Sequence, residues 1–304
     1  MNMKYITSVS FPTNDELLGY MDSHSYQDWP FKVFLDREMK SLLMDDITIL
    51  YGNNGSGKST ILNCIAEKVG AARNKPIFKD KKWNEMVGQY YPLMDYLDYM
   101  GISMGSDPET GFEIKFPTNM RLITSDDIFT KINNTIRSNN ISVDERDAAY
   151  DEYFSKAFEP YQLRSMDDLD EFSKRNKMKK KSMTAARFIR ENSRKRLEMH
   201  SNGETAISYF QDMFEPDGLY FLDEPENCLS PVFQVELIKI ILEAKRFLNC
   251  QFIIATHSPL ILSLPDALVY DLDENPISSK PWYELENVKV YFNFFYKNKD
   301  KFLK

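Results

Sequence analysis

The nine residues from Gly52 to Thr60, GNNGSGKST, constrain this chain more than any other stretch. They match the phosphate-binding pattern G-x-x-x-x-G-K-[ST] at every fixed position. Residues 47–51 before them are β-branched and apolar, which predicts a strand, and residues 61–66 after them have helical spacing, with Gly70 placed to stop the helix. A strand, a glycine loop and a helix are the context that this pattern requires, and they disfavour the alternative of an ordinary glycine-rich turn.

The residue types in this loop indicate its ligand. Glycines let the backbone close around a phosphate group, and the exposed N–H groups and the helix N-terminus supply positive potential. Lys58 is predicted to reach the β- and γ-phosphates, and the Ser59 hydroxyl to ligate Mg²⁺. The sequence therefore predicts ATP and Mg²⁺ as cofactors. The predicted nucleotide-binding residues of the loop are Asn53, Asn54, Gly55, Ser56, Gly57, Lys58, Ser59 and Thr60.

A second apolar run ends in two acids. Residues 218–222 read as a buried strand, and Asp223 and Glu224 follow it directly. This is a Walker B pattern, in which the strand would deliver Asp223 to the Mg²⁺ shell while Glu224 polarises the attacking water. Asp223 is therefore a predicted metal ligand and Glu224 a predicted catalytic residue, together with Lys58.

A histidine follows a third apolar strand, predicted over residues 251–256. An imidazole at that strand end can hydrogen-bond the γ-phosphate and help hold the water that Glu224 activates. A lone histidine is usually structural, but His257 comes after the phosphate loop and the Walker B acids in the chain. We therefore predict that His257 is catalytic.

A second anion site is predicted where Ser201, Asn202 and Gly203 open a helix after His200, since small residues at a helix N-terminus present free N–H groups. A capped turn would have the same sequence. Asp126 follows a short strand predicted over residues 120–125. Two interpretations of it stay open: a group on the Mg²⁺ side of the site, or part of a cap for the next helix.

The composition limits what the chain can be. With 304 residues and 42% hydrophobic content it can form a globular core, and a net charge of −8 argues against a protein that is basic all over. Its three cysteines form no C-x-x-C pair, which favours free thiols in a reducing compartment, so a cytoplasmic protein is expected. We expect no secretory leader and no membrane span, because no apolar run is long enough.

Residues 128–200 are predicted to form a helical lobe. Its segment from Lys174 to Arg196 carries eleven Lys and Arg residues against one Glu, and could contact nucleic-acid phosphates. The alternative is a solvated helix face, or one paired with the acidic stretch 144–171.

The remaining stretches give weaker predictions. Residues 4–11 alternate in polarity and predict an edge strand, and residues 71–119 look irregular with a tyrosine cluster. Trp29 and Phe31 are expected in the core, although one of them could stack on adenine.

Taken in order, the Walker A loop, the Ser-x-Gly-Glu signature, Leu-Asp-Glu-Pro-Glu and Ala-Thr-His-Ser-Pro resemble the ABC-type ATPases of the AAA family. The likeness is to small soluble ATPases related to RecF and to structural-maintenance-of-chromosomes head domains. It implies an α/β P-loop NTPase fold of ABC-ATPase type, with a mixed β-sheet core and an inserted helical lobe. The implied domains are residues 1–127 with the P-loop, the lobe at 128–200, and residues 201–304 with the signature, Walker B acids and switch histidine.

The resemblance also implies a function: a soluble ATP-binding and ATP-hydrolysing switch. In such families a head-to-tail homodimer encloses two ATP molecules, each between one subunit's P-loop and the other's Ser201 loop. The switch would act with an effector partner or on nucleic acid, in DNA repair or anti-phage defence. Two features depart from the pattern: the signature is not Leu-Ser-Gly-Gly-Gln, and Gln89 comes too early to be the glutamine that usually contacts Mg²⁺.

Three other functions are alternatives for this sequence. A nucleotide-binding subunit of an ABC transporter is the main alternative, and the altered signature disfavours it. A nuclease domain would need more residues than those that follow Asp271 and Asp273. These two aspartates are therefore interpreted as a strand-end turn. A non-catalytic scaffold is disfavoured by Glu224.

Overall fold

The computed structural model describes residues 4–23, 30–35, 39, 41–74, 92–106, 110–158, 170, 173 and 201–303. The chain divides into two compact units, the first formed by Met1–Phe129 with Asn202–Lys304, and the second by Thr130–Ser201. The strands are β1 (Ile6–Ser10), β2 (Ser41–Leu43), β3 (Ile47–Tyr51), β4 (Gly101–Met104), β5 (Asn119–Thr124), β6 (Gly218–Asp223), β7 (Gln251–Ala255), β8 (Leu268–Asp271) and β9 (Ser278–Ser279). The helices are α1 (Asn14–Ser23), α2 (Phe31–Phe34), α3 (Lys58–Lys68), α4 (Pro92–Tyr99), α5 (Ser125–Phe158), α6 (Asn202–Met213), α7 (Pro231–Phe247), α8 (Pro259–Leu262) and α9 (Glu286–Lys297).

A six-stranded sheet forms the centre of the first unit. Its strand order is β5-β6-β7-β3-β8-β9, and neighbouring strands are parallel except for the last pair. All five residues of β3 and of β7 are buried, which explains why both strands read as unbroken apolar runs: a parallel strand covered on both faces has no solvent side. The parallel strands end at one edge of the sheet, and the residues that follow them meet there.

A smaller antiparallel sheet has the order β2-β1-β4. The prediction of an edge strand at residues 4–11 was wrong, because β1 pairs with β2 on one side and β4 on the other. The prediction that residues 71–119 are irregular was also wrong in part, since α4 and β4 lie there. Alternating polarity shows that a strand has one buried face, but it does not show how many partners the strand has.

Gln251, the first residue of β7, joins the two sheets. Its side chain is buried, and its Oε1 accepts hydrogen bonds from the backbone N–H groups of Tyr5 and Ile6, at 2.9 Å each. Its Nε2 donates to the carbonyls of Ile6 at 2.8 Å and Asp45 at 3.0 Å. The start of β7 is thereby fixed against the chain that enters β1.

Two helices position the site. α3 follows the phosphate loop and buries its apolar side, including Ile61 and Ile65, and it ends at Lys68, just before the predicted stop at Gly70. α7 begins at Pro231, and a proline is well suited to the first turn of a helix.

The second unit contains most of α5, so the predicted helical structure of residues 128–200 is present up to Phe158. Trp29, the side chain of Phe31, Tyr90, Tyr91 and Gln89 lie outside the described residues. Among the residues that are described, no helix combines the length and the apolar character needed to cross a membrane.

Candidate nucleotide-binding site

The phosphate loop joins β3 to α3, and its backbone has the conformation that can close around a phosphate group. Gly55 has φ of +84° and Gly57 φ of +94°, left-handed values that side-chain-bearing residues rarely adopt. The Ser56 N–H donates to the carbonyl of Asn53 at 3.0 Å. Gly57 immediately precedes α3, so the N–H groups at the start of the helix face the loop. This arrangement can bind an anion.

Lys58 lies inside the loop. Its side chain is only 4% exposed, and its ammonium donates to the carbonyls of Gly52 at 2.8 Å and Asn53 at 3.2 Å. A carboxylate oxygen of Glu224 lies 3.9 Å from the same nitrogen. A buried ammonium is stable only where oxygens surround it, and here the loop's own carbonyls provide them.

Ser59 and Asp223 meet across the site, as the sequence predicts for two groups that share a cation. The Ser59 hydroxyl donates to Asp223 Oδ1 at 2.7 Å. Burial raises the pKa of Asp223 from 3.8 to about 6; the Ser59 hydrogen bond opposes this and the neighbouring Glu224 adds to it. Two hard oxygen donors, one carrying a charge that is costly to bury, suit Mg²⁺.

Glu224 occupies the sharp turn after β6. Its φ of +46° and ψ of +52° are left-handed, an uncommon backbone for a residue with a side chain. Its N–H donates to the carbonyl of Ala255 at 2.9 Å, and its Oε2 accepts from the side-chain amide of Asn227 at 2.9 Å. Backbone strain of this kind persists where the surrounding bonds fix it, and it is common at functional sites.

His257 lies beside two carboxylates. Its Nδ1 is 3.8 Å from Glu224 Oε1 and 3.3 Å from Glu226 Oε1, and its side chain is 45% exposed. The structure therefore brings Lys58, Glu224 and His257 together, with Glu224 near both of the others.

Glu226 is a site residue that the sequence reasoning missed. Its Oε1 accepts from the Thr256 hydroxyl at 2.6 Å, the His257 N–H at 2.9 Å and the Ser258 N–H at 3.2 Å. Its other oxygen, Oε2, is buried and makes no hydrogen bond within the described part of the chain. Glu226 therefore holds the loop that carries His257. The available signal in the sequence was the third acid of Asp-Glu-Pro-Glu.

Asp273 was also missed as a site residue. The expected turn after β8 is present, and the Asp273 N–H donates to Asp271 Oδ1 at 3.1 Å. In addition, both carboxylate oxygens of Asp273 accept from the Asn53 N–H, at 3.0 and 2.9 Å. A contact between residues 220 positions apart gives no local signal in the sequence.

Asp126 lies in the first turn of α5 and is exposed. The helix is capped by its neighbours: Asp127 Oδ2 accepts from the N–H of Thr124 at 3.0 Å and from its hydroxyl at 2.9 Å. Burial raises the pKa of the Cys228 thiol, and the charge of Asp126 adds to this. The role of Asp126 beside Mg²⁺ stays a prediction.

In the signature segment, Gly203 packs against the ring of Phe233, where a Cβ atom would collide with the ring. Ser201 is the last residue of the second unit, and Asn202 begins α6. His200 and the basic segment from Lys174 to Arg196 lie outside the described residues.

A family model described as "AAA domain, putative AbiEii toxin, Type IV TA system" matches residues 205–263. These residues contain α6, the Walker B acids, Glu226 and His257, and over them the match confirms the predicted resemblance to AAA-type ATPases. No curated protein matches the sequence.

Several solved structures are similar to this chain. The SMC head domain of Pyrococcus furiosus, with an extended coiled coil and bound to the C-terminal domain of ScpA, is 14% identical, with 98% of this chain and 100% of that chain covered and a TM-score of 0.41. The SMC head domain of Thermotoga maritima is 16% identical, with 92% of this chain and 99% of that chain covered and a TM-score of 0.40. A nucleotide-free ATP-binding cassette from an ABC transporter is 13% identical, with 95% of this chain and 95% of that chain covered and a TM-score of 0.41.

The chain is an ATPase-like P-loop domain with an α/β fold. Its own strand order, with the phosphate loop after β3 and the Walker B acids after β6, confirms the predicted fold class, a P-loop NTPase of ABC-ATPase type with a mixed sheet.

Proposed function

We propose that this protein is an ATP-hydrolysing switch. The observation that carries the proposal is the hydrogen bond between Ser59 and Asp223, because it joins the Walker A loop to the Walker B strand at the point where a nucleotide-bound cation would lie. Glu224, the residue after Asp223, lies within 4 Å of both the Lys58 ammonium and the His257 imidazole.

Each residue has a chemical role in this proposal. Lys58 would exchange the loop carbonyls for β- and γ-phosphate oxygens. Ser59 and Asp223 would hold Mg²⁺, which would supply positive charge to neutralise the charge that develops on the phosphate oxygens. Glu224 accepts the proton of the water that attacks the γ-phosphorus, as the bond to ADP breaks. His257 hydrogen-bonds the γ-phosphate. Asp126 is the proposed further group on the Mg²⁺ side.

The switch is proposed to work as a homodimer with ATP at the interface. Ser201, Asn202 and Gly203 of a second copy would cover the outer face of the γ-phosphate, so the closed state would depend on ATP. The residues 128–200 are the proposed lobe, and its segment Lys174–Arg196 is the proposed nucleic-acid contact.

We further propose a cytoplasmic role in which the switch acts with an effector protein or on nucleic acid, in DNA repair or anti-phage defence. The matched family's description names a type IV toxin–antitoxin system, and this supports the proposed defence role.

The experiment is phosphate release from ATP by the purified chain and two variants. Lys58→Ala should lose nucleotide binding, since no other cation lies within the loop's described contacts. Glu224→Gln should bind ATP but turn it over at least about 100-fold more slowly, the usual size of a general-base effect.

Matched controls come from the exposed pair Lys239 and Glu236 on α7. Lys239→Ala and Glu236→Gln should hydrolyse ATP as the wild type does. Unchanged turnover in Glu224→Gln would remove that residue from the mechanism, and absence of hydrolysis in the wild type would refute the proposed activity.

A further inference from the structure

The two carboxylate oxygens of Glu224 have different surroundings. Oε2 accepts a hydrogen bond from the side-chain amide of Asn227 at 2.9 Å. Oε1 lies 3.9 Å from the Lys58 ammonium and 3.8 Å from His257 Nδ1, and both distances are longer than a hydrogen bond. One oxygen is therefore held by a neutral amide, while the other faces the lysine and the histidine of the site.

Asn227 reaches Glu224 because the chain turns sharply after β6. Residues Pro225–Cys228 form a single 3₁₀ turn. In such a turn the side chains at positions i and i+3 lie one above the other, and Asn227 is three residues after Glu224. The Asn227 N–H also donates to the Glu224 carbonyl, at 3.2 Å. Asn227 is thus bonded to both the backbone and the side chain of Glu224.

We propose that Asn227 is a positioning residue for Glu224, an inference that rests on the proposed ATP hydrolysis. Its amide holds Oε2 and so selects one rotamer of the glutamate, in which Oε1 is the oxygen that accepts the proton of the attacking water. Asn227 acts through Glu224 and not on the nucleotide.

Glu224 needs such an anchor because its side chain is long and partly exposed. The side chain is 27% exposed, and a glutamate has several rotatable bonds, so without the amide its carboxylate can turn toward solvent. A general base must lie within about 3 Å of the proton that it removes, and a misplacement of about 1 Å can cost about 100-fold in rate. An amide is also neutral, so it holds the carboxylate without pairing its charge.

The test measures ATP turnover and ATP binding separately. Asn227→Ala should lower kcat about tenfold, because the base is displaced. ATP affinity, titrated in the Glu224→Gln background so that ATP is not consumed, should change by less than about twofold, because the phosphate loop is intact. Asn227→Asp is nearly the same size as the wild type but replaces the donor with a second carboxylate, and should lower kcat at least as much.

Asn249 provides a matched control. Its side-chain amide donates to a carboxylate oxygen of Asp217 at 2.8 Å, so the contact has the same chemistry as that of Asn227. Both control residues lie before the parallel strands β6 and β7, at the edge of the sheet opposite the site. Asn249→Asp should therefore keep the kcat of the wild type, and circular dichroism checks that each variant is folded.

A double variant separates positioning from general support of the fold. Adding Asn227→Ala to Glu224→Gln should change the residual turnover by less than about twofold, since no base is left to position. An equal fall in both backgrounds, or a loss of ATP affinity that matches the loss of kcat, overturns the inference. An active wild type with the same kcat as Asn227→Ala also overturns it and leaves the proposed hydrolysis standing. Absence of hydrolysis by the wild type overturns both.

Discussion

The two ends of β7 are held by polar side chains that differ in how completely they are bonded. At the start of the strand, both polar groups of Gln251 are used, in four hydrogen bonds to backbone groups near β1. Beyond the end of the strand, one oxygen of Glu226 accepts three hydrogen bonds from residues 256–258, while the other oxygen is buried and accepts none from the residues that the structure describes.

This difference distinguishes the contacts of Gln251, which stabilise the fold, from those of Glu226, which lie at the candidate site. A neutral amide with every group satisfied fixes the two sheets at little electrostatic cost. A buried carboxylate with an unbonded oxygen is costly, because its charge has lost water and gained only part of a replacement. The site end of β7 therefore holds a free-energy cost that the structural end does not, and a ligand or a moving loop can relieve it.

The largest expected effect is on stability, at the structural end. Gln251→Ala should lower the free energy of unfolding by about 3–5 kcal/mol, because three buried backbone groups and one half-buried backbone group lose their bond to the amide. Urea unfolding measures this. Gln211→Ala, at an exposed position of α6, should change the value by less than about 0.5 kcal/mol. A loss below about 1 kcal/mol for Gln251→Ala would mean that water replaces the amide at no cost.

The next effect is at the site end and falls mainly on turnover. Glu226→Ala removes the acceptor that holds the His257 loop, and should lower kcat by about tenfold or more with a stability loss of about 1–3 kcal/mol. Glu226→Gln keeps an oxygen toward the same three donors and should recover most of the stability.

The Gln variant separates the two roles of Glu226. If positioning alone matters, Glu226→Gln also recovers kcat; if the carboxylate charge beside His257 matters, kcat stays low while the fold is stable. Equal kcat in the wild type and Glu226→Ala would show that the loop holds its histidine without this acid. Glu236→Ala, on the exposed face of α7, is the control.

The sequence predicts one part of this site well. β3, β6 and β7 are continuous apolar runs because both of their faces are buried. The residues that come after them, Lys58, Glu224 and His257, lie together because parallel strands end at one edge of the sheet. A local pattern was therefore enough to locate three elements and the groups they carry.

The rest depended on contacts between distant residues. The carboxylates of Glu226 and Asp273 accept hydrogen bonds from backbone N–H groups of other loops. Almost every residue has a backbone N–H, so the sequence around the donor does not show which side chain will accept from it. The partners of β1 were missed for a similar reason, since strand pairing is decided by β4, far along the chain. The sequence shows that α9 contains many apolar residues, but only the fold shows that they are exposed to solvent.

The smallest effect that we predict is a gain in stability, and it extends the comparison to Asp223, the proposed Mg²⁺ ligand. Asp223→Asn should stabilise the nucleotide-free protein by about 2 kcal/mol at pH 8. The reason is burial, which raises the pKa of Asp223 from 3.8 to about 6, so the folded chain carries an unfavourable charge above that pH. The amide can still accept from the Ser59 hydroxyl, so the hydrogen bond is kept.

The direction of the pKa shift of Asp223 determines how this gain in stability changes with pH. A carboxyl whose pKa is higher in the folded chain contributes stability below pH 4, and this contribution is lost as the pH rises to 6. The advantage of Asp223→Asn should therefore be small near pH 4, grow between pH 4 and 6, and stay constant above pH 7. Thermal unfolding at a series of pH values measures it. Adding ATP and Mg²⁺ should reverse the order of the two proteins, because only the wild type keeps the carboxylate that binds the cation. A gain that does not change with pH would show that the charge of Asp223 is not its source.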